Sequence, residues 1–279
     1  MNKTFNPEFN YKEYPEYTDA HMIPFGDDDV SIFDKDYPYI DKSKKFKWKQ
    51  RLVRLGLWTI VFPFSYICLG LKIKGKENIR KNKKLLKQGA LSIANHINMW
   101  DYIAVMNAIK PIKPYVLVFN KNVTGKDGPL VRAVGGIPIP ESNNLQASLQ
   151  YVKEVKDLLN NGGWLHIYPE GSLWKYYRHI RPFKKGVAHL ARLVDKPIIP
   201  LGFSYRKPSW LRKKLFKQEA CHNLCIGEPI FIDKSLPLEE QEEDLLIRCH
   251  AAVCDLVGLS VEDNQYEPIF NNSKRIDFN

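Results

Sequence analysis

The chain has 279 residues, of which 44% are hydrophobic and 26% charged. That mix belongs to a folded protein of one large domain or two small ones and excludes disordered and fibrous classes, while a mean hydropathy of −0.36 excludes a polytopic membrane protein. Forty-two basic against thirty-one acidic residues leave a net charge of +11, which suits a polyanionic partner: nucleic acid, anionic lipid or a phosphorylated substrate.

Residues 1–41 hold ten acids, three Lys and nine Phe or Tyr, with four Pro and the run Asp27-Asp28-Asp29. No helical or strand period runs through them. They read as an extended acidic arm that either docks on the basic body or remains a solvated tail. The opening MNKTFNPEFN has no apolar stretch of a secretory signal, so a reducing, cytoplasmic setting with free thiols is expected. The spacing of Cys221, Cys225, Cys249 and Cys254 is poor for zinc, and no metal site is expected.

The charge then reverses. Residues 42–54 carry seven basic residues and no acid, residues 55–71 no charge, and residues 72–87 eight basic residues and one acid. An apolar segment bracketed by Lys and Arg is a membrane signature. Its 17 residues reach roughly 25 Å, short of the ~30 Å hydrocarbon core, and Pro63 lies at the centre. A bent helical pair over 46–71 fits better, dipping into one leaflet with Trp48 and Trp58 at the interface and basic residues on anionic headgroups. The competing reading is a buried core helix with a solvated flank. No zinc-finger, RRM or KH pattern is present, and nucleic acid is not expected as a partner.

From residue 90 short apolar runs alternate with helical periods. Ala90–Ala94, Tyr115–Phe119, Trp164–Tyr168, Ile198–Phe203 and 223–232 are predicted strands. Residues 100–109, 144–160, Gly186–Val194 and Leu238–Val257 are predicted helices. In the second of these, Leu145, Leu149, Val152, Val155, Leu158 and Leu159 are expected to form the apolar face. The fold class is therefore α/β, a mostly parallel central sheet flanked by helices, with an N-terminal apolar helix pair for monotopic attachment. The chain divides into an arm (1–41), a membrane-associating segment (42–74) and an α/β domain (75–279).

Two strand ends carry chemistry. Asn95-His96-Ile97-Asn98-Met99-Trp100-Asp101 follows the strand 90–94. Five residues along a regular helix leave two side chains roughly 140° apart. His96 and Asp101 can therefore meet only if His96 sits in the turn and Asp101 in the first turn of the next helix. Asp101 would then hold one ring nitrogen, leaving the other to accept a hydroxyl proton. At the end of the strand from Trp164 comes Tyr168-Pro169-Glu170-Gly171-Ser172. Gly171 would let backbone approach a ligand, and Glu170 sets a carboxylate at the strand end. Arg178, Arg181, Lys184 and Lys185 follow in a loop suited to phosphate. Gly135-Gly136-Ile137-Pro138-Ile139-Pro140 and Lys196-Pro197-Ile198-Ile199-Pro200 are weaker: each is either a substrate-binding turn, through Gly136, Ile137 and Pro200, or a turn into a buried strand. There is no G-x-S-x-G elbow, P-loop or G-x-G-x-x-G.

The order N-H-x4-D, G-G-I-P-I, Y-P-E-G-S, K-P-I-I-P resembles the four blocks of the glycerolipid acyltransferases, above all the PlsC-like 1-acylglycerol-3-phosphate acyltransferases, over residues 75–235. The resemblance implies His96 as general base with Asp101 as its partner. It implies that Glu170 and Gly171, with Ser172, shape the acceptor site beside the weaker Asn95. It also implies a lysolipid acceptor and, with no cofactor, an acyl thioester co-substrate carried on acyl carrier protein or coenzyme A. The implied location is the cytoplasmic face of the cell membrane, peripheral or monotopic. Two departures stand out: Glu141 and Leu173 replace arginines that the family associates with the acceptor's phosphate. Arg178 or Arg181 is expected to point into the cleft instead, or the acceptor is another lysolipid or glycolipid. A thioester or lysolipid hydrolase in which His96 activates water, and a non-catalytic lipid-binding module, are the other readings; a binding module has no need for the His96–Asp101 pair.

Overall fold

The computed structural model describes residues 17, 20–22, 32–141 and 143–266. In chain order the elements are α1 (Lys44–Gly56), a π-helical turn (Leu57–Val61), α2 (Phe62–Cys68), β1 (Lys72–Lys74), α3 (Lys76–Lys81), α4 (Lys83–Leu86), β2 (Ala90–Ala94), α5 (Asp101–Ala108) and β3 (Tyr115–Phe119). Then come α6 (Gly128–Val134), β4 (Gly136–Ile139), α7 (Leu145–Asn160), β5 (Trp164–Ile167), α8 (Gly186–Val194), β6 (Ile198–Arg206), α9 (Trp210–Phe216), β7 (Cys221–Ile226) and α10 (Leu238–Val257).

Among the described residues the strands form one seven-stranded sheet, ordered β1-β7-β6-β2-β5-β3-β4. Every neighbouring pair is parallel except β6 and β7. The expected α/β fold with a mostly parallel sheet is therefore present. The two-residue alternation of the strands sorts their side chains onto two cores. Leu91, Ile93, Leu165 and Ile167 face α7, α8 and α10. Ala90, Ala94, Trp164 and Leu201 face α5. The strand predicted over 223–232 ends at Ile226, since Gly227 turns the chain and Pro229 lacks a ladder donor; Ile230 returns only as an isolated bridge to Ile198.

The buried stripe of α7 is Ala147, Tyr151, Val155 and Leu159, spaced by four. Val152 and Leu158 pack at its margin, while Leu145 and Leu149, expected inside, are exposed. This rotation turns Tyr151 onto the fully buried Tyr39, the two rings meeting edge to face at 5.6 Å.

Most of the acidic arm lies outside the described residues. Its last stretch is fastened by aromatic packing and by main-chain carbonyls rather than by its carboxylates. Arg132 donates to the carbonyls of Pro38 and Tyr39, each at 2.6 Å, and the Ile40 N–H donates to Glu154 at 2.7 Å.

The apolar helical pair is one unbroken run from Lys44 to Cys68, 25 residues long. In a regular α-helix the ring of Pro63 would strike the carbonyl of Thr59. The π-helical turn just before it, closed by the Phe62 N–H on the Leu57 carbonyl, widens the helix at that point. One side of the run sits on the body: Leu57 and Phe62 pack with Met106 of α5, flanked by Val53 and Val61. The other side leaves Trp48, Leu52, Leu55, Trp58, Ile60, Phe64 and Ile67 exposed.

Tyr39→Ala should cost about 3–5 kcal/mol, the usual range for removing a buried aromatic ring, with Tyr39→Phe retaining most of it. Urea unfolding of the full chain measures both. A loss within experimental error for Tyr39→Ala would mean that the arm is not part of the cooperative unit.

Candidate active site

The site is built at the carboxyl ends of β2 and β5, neighbours in the sheet, where open α/β sheets place their ligands. His96 lies two residues past β2, and Asp101 is the first residue of α5. The turn between them lets the side chains meet: His96 Nδ1 is 3.1 Å from Asp101 Oδ2. The same carboxylate oxygen accepts the backbone N–H groups of Ile97 and Asn98, both at 2.8 Å. Three donors thus converge on one buried oxygen, and Nδ1 is held as the protonated nitrogen. The His96 ring is 22% exposed, so Nε2 is left for a reactant.

The turn is fastened from every side. The His96 N–H donates to Glu170 Oε2 at 3.0 Å, and its carbonyl accepts from the Trp174 N–H at 3.0 Å. The Ile97 carbonyl accepts from the Tyr205 hydroxyl at 2.8 Å and from the Tyr176 N–H at 3.2 Å. Asn95 holds the strand end down: its amide exchanges two hydrogen bonds with the Phe203 backbone on β6, at 2.7 and 2.9 Å. This pair of hydrogen bonds occupies the buried Asn95 side chain with backbone.

Glu170 and Ser172 also turn inward. Glu170 is 3% exposed and accepts the N–H of His96, the N–H of Arg181 at 2.9 Å and the Arg181 guanidinium at 2.9 Å. Ser172 Oγ accepts from the same guanidinium at 2.5 Å. Arg181, expected to reach into the cleft, is 1% exposed, with its guanidinium 4.5 Å from the centroid of the Trp174 ring. A guanidinium so enclosed balances the buried carboxylate beside it rather than an outside phosphate. Gly171, by contrast, is exposed at φ +77°, and a Cβ there would lie 2.8 Å from Lys184 Nζ. The Lys184 side chain therefore lies over the turn and, like Arg178 nearby in sequence, is half-buried.

The two weaker blocks are strands. Gly136 and Ile137 open β4, with Ile137 fully buried in the core. Pro200 lies within β6 opposite Ile93. None of the three reaches the His96 turn; they shape the sheet under it. Among the described residues no three His, Cys, Asp or Glu gather as a metal-holding group.

Two aromatic residues missing from the expected set complete the site. Tyr168 stacks on the His96 ring, centroids 3.9 Å apart and planes 15° apart, and its other contact is the edge of His166 at 4.5 Å. Burial pushes the Tyr168 hydroxyl well above its ordinary pKa. His166 is fully buried, 2.9 Å from Ser92 Oγ, which also accepts from Trp164 Nε1 at 2.8 Å. Burial, with His96 adding a smaller effect, lowers the His166 pKa from 6.5 to about 3. The period of two along β5, which sets 164, 166 and 168 on one face, was the signal that would have found them.

Residues 70–204 match the family model described as Acyltransferase. His96, Asp101, Glu170 and Arg181 all fall inside the matched segment. Over 117 residues the chain is 30% identical to proteins named 1-acyl-sn-glycerol-3-phosphate acyltransferase from Escherichia coli, Salmonella typhimurium and Salmonella typhi. Each match covers 41% of this chain and 46% of the relative, so the chain spans about half the length of the curated relatives it matches. A solved 1-acyl-sn-glycerophosphate acyltransferase, PlsC from Thermotoga maritima, superposes with a TM-score of 0.48 at 16% identity, over 78% of this chain and 85% of the other.

Glu170→Gln should destabilise the domain by about 3–5 kcal/mol, because it strands the Arg181 charge in the interior. Adding Arg181→Met should recover part of that loss, read by chemical unfolding. No recovery would mean the carboxylate acts through the His96 turn alone. Stability should also depend on acid. Below the ordinary imidazole pKa of 6.5 the unfolded chain takes up a proton that folded His166 refuses until about pH 3. Stability therefore falls as pH drops through 6.5. His166→Gln should flatten that fall in melting temperature between pH 7 and pH 4.

Proposed function

We propose that the chain is a membrane-surface O-acyltransferase that moves a fatty acyl group from an acyl thioester to the hydroxyl of a lysolipid. The observation that carries this reading is the His96–Asp101 contact at the end of β2, within the segment that matches the Acyltransferase family model. Asp101 fixes the proton on Nδ1. Nε2 then takes the proton of the acceptor hydroxyl as its oxygen attacks the thioester carbonyl. When the tetrahedral intermediate collapses, the C–S bond breaks and the imidazolium returns the proton to the departing thiolate. Asp101 stabilises the imidazolium in between. Both substrates must be bound together, since His96 stores no acyl group.

The names of the curated relatives favour 1-acylglycerol-3-phosphate as the acceptor, giving phosphatidate. With Arg181 enclosed, Lys184 and Arg178 are our candidates for its phosphate. An acceptor without a phosphate is the second reading, supported by Glu141 and Leu173 at the positions of the family's arginines. The acyl carrier, either acyl carrier protein or coenzyme A, is anionic and suits the net charge of +11.

Attachment to a membrane is supported by the exposed face of the run 44–68, which is long and apolar enough to cross a bilayer, and we place it at the cytoplasmic face. Its contacts with the body run from Gln50 to Ser65, which favours a helix lying along the surface over one leaving it. The site rim is apolar too: Met99, Trp100 and Phe119 are exposed.

His96→Ala should lower turnover by about 10²–10⁴, measured with purified protein, acyl carrier protein or coenzyme A thioesters and a panel of lysolipids. Asp101→Asn should be severe as well. Wild-type turnover in a folded His96→Ala variant would overturn the mechanism. Thioester cleavage that is indifferent to lysolipid would make the chain a hydrolase. Phe64→Ser with Ile67→Ser should weaken flotation with anionic vesicles, and high salt should weaken it further.

A further inference from the structure

The helix α9 has no core of its own. Its sequence is WLRKKLF, and none of its residues is buried. Trp210 is 71% exposed, Leu215 63%, and Leu211 and Phe216 are exposed as well. A seven-residue helix gains little from propensity, and helices in proteins are normally held by burying an apolar face. This one is held by polar contacts alone. Ser209 Oγ accepts the Arg212 N–H at its start, and Lys217 closes it at φ +49°.

Those contacts tie α9 to one place. Arg212 donates to the Ile67 carbonyl at 2.6 Å and to the Tyr66 carbonyl at 3.2 Å, and Gln218 donates to the Cys68 carbonyl. These are the last carbonyls of α2, where a cation is favoured by the helix dipole. Arg206 binds the Gly70 carbonyl just beyond. α9 is thereby fastened to the end of α2, the helix on which Phe64 and Ile67 are exposed. Residues 206–217 also contain six basic residues and no acid.

We infer that α9 is a second membrane-inserting element, seated in the headgroup region of an anionic bilayer beside the end of α2. The inference deepens the membrane-surface reading above and rests on it. Trp and Leu enter the interface while Lys213, Lys214 and Lys217 meet lipid phosphates. Lys214 lies 5.0 Å from the Trp210 ring, so charge and aromatic face reach the surface together. The match to the acyltransferase family ends at residue 204, so the element lies outside the matched segment. A basic patch alone would equally suit an acidic carrier protein. Four large exposed apolar side chains, on a helix fastened to the end of α2, favour lipid.

The test uses the full chain and vesicles of phosphatidylcholine with or without phosphatidylglycerol. Trp210→Ser, Leu211→Ser, Leu215→Ser and Phe216→Ser together should reduce partition onto the mixed vesicles by roughly tenfold or more. The melting temperature should stay unchanged, because the side chains touch no core. Lys213→Gln with Lys214→Gln should flatten the salt dependence of binding. Bromine-labelled lipid should quench wild-type tryptophan emission more than that of Trp210→Phe. A wild type that floats while the fourfold variant floats equally well, with no difference in quenching, overturns this inference and leaves the α1–α2 attachment standing. A wild type that ignores vesicles overturns both. A fourfold variant that keeps vesicle binding but loses binding of acyl carrier protein assigns the surface to a protein partner and also overturns the inference.

Discussion

One buried carboxylate holds the site together. Glu170 stands at the end of the segment that follows β5 and receives the His96 N–H, the Arg181 N–H and the Arg181 guanidinium. It thereby joins three pieces of chain that the sheet alone would leave independent: the turn after β2, the turn after β5 and the loop before α8. Taking a carboxylate and a guanidinium out of water costs several kcal/mol each, and here the cost is offset by their mutual contact and by the hydrogen bonds to Ser172 and to the His96 and Arg181 N–H groups. Trp174 closes the arrangement, with its ring against the guanidinium and its N–H on the His96 carbonyl. The backbone on either side of the His96 imidazole is fixed as a result. On the proposed reading this matters, because a general base must meet a hydroxyl within about 3 Å.

The α5 helix links this geometry to the surface. Its first residue is Asp101, which orients His96, while Met106 and Ile103 of the same helix support Leu57 and Phe62 of the apolar run. Asn107, fully buried, lies 3.4 Å from the Tyr66 hydroxyl and 3.5 Å from Ser65 Oγ. On the proposed reading, one helix thus connects the His96–Asp101 pair with the apolar run that would meet lipid. The exposed Met99 and Trp100, between His96 and Asp101 in the chain, extend the apolar surface to the mouth of the site.

Much of the molecule could be read from residue order. The alternation of short apolar runs and helical periods determined the α/β class, and the limits of β2, β3, α8 and α10 follow from it. The N-H-x4-D spacing allowed His96 and Asp101 to meet only across a strand-to-helix turn, because no regular helix brings residues five apart together. The Lys- and Arg-bracketed apolar segment pointed to a membrane-facing surface but left a buried core helix open. What the sequence could not decide was the direction in which polar side chains point. Glu170, Ser172, Arg181 and Asn95 sit among chemically suggestive neighbours, yet all four are spent on one another or on backbone. That outcome depends on which strands become neighbours in the sheet. Arg181 faces Glu170 because the loop before α8 folds back under the β5 turn, and Asn95 reaches Phe203 because β6 lies beside β2. The rotation of α7 turns Tyr151 onto Tyr39, more than 100 residues away in sequence, and the placement of α9 was decided by carbonyls that only a finished α2 leaves unpaired. Local pattern follows from the chain's own periods; the partner of a buried polar group is set by non-local packing, which exists only in the folded molecule.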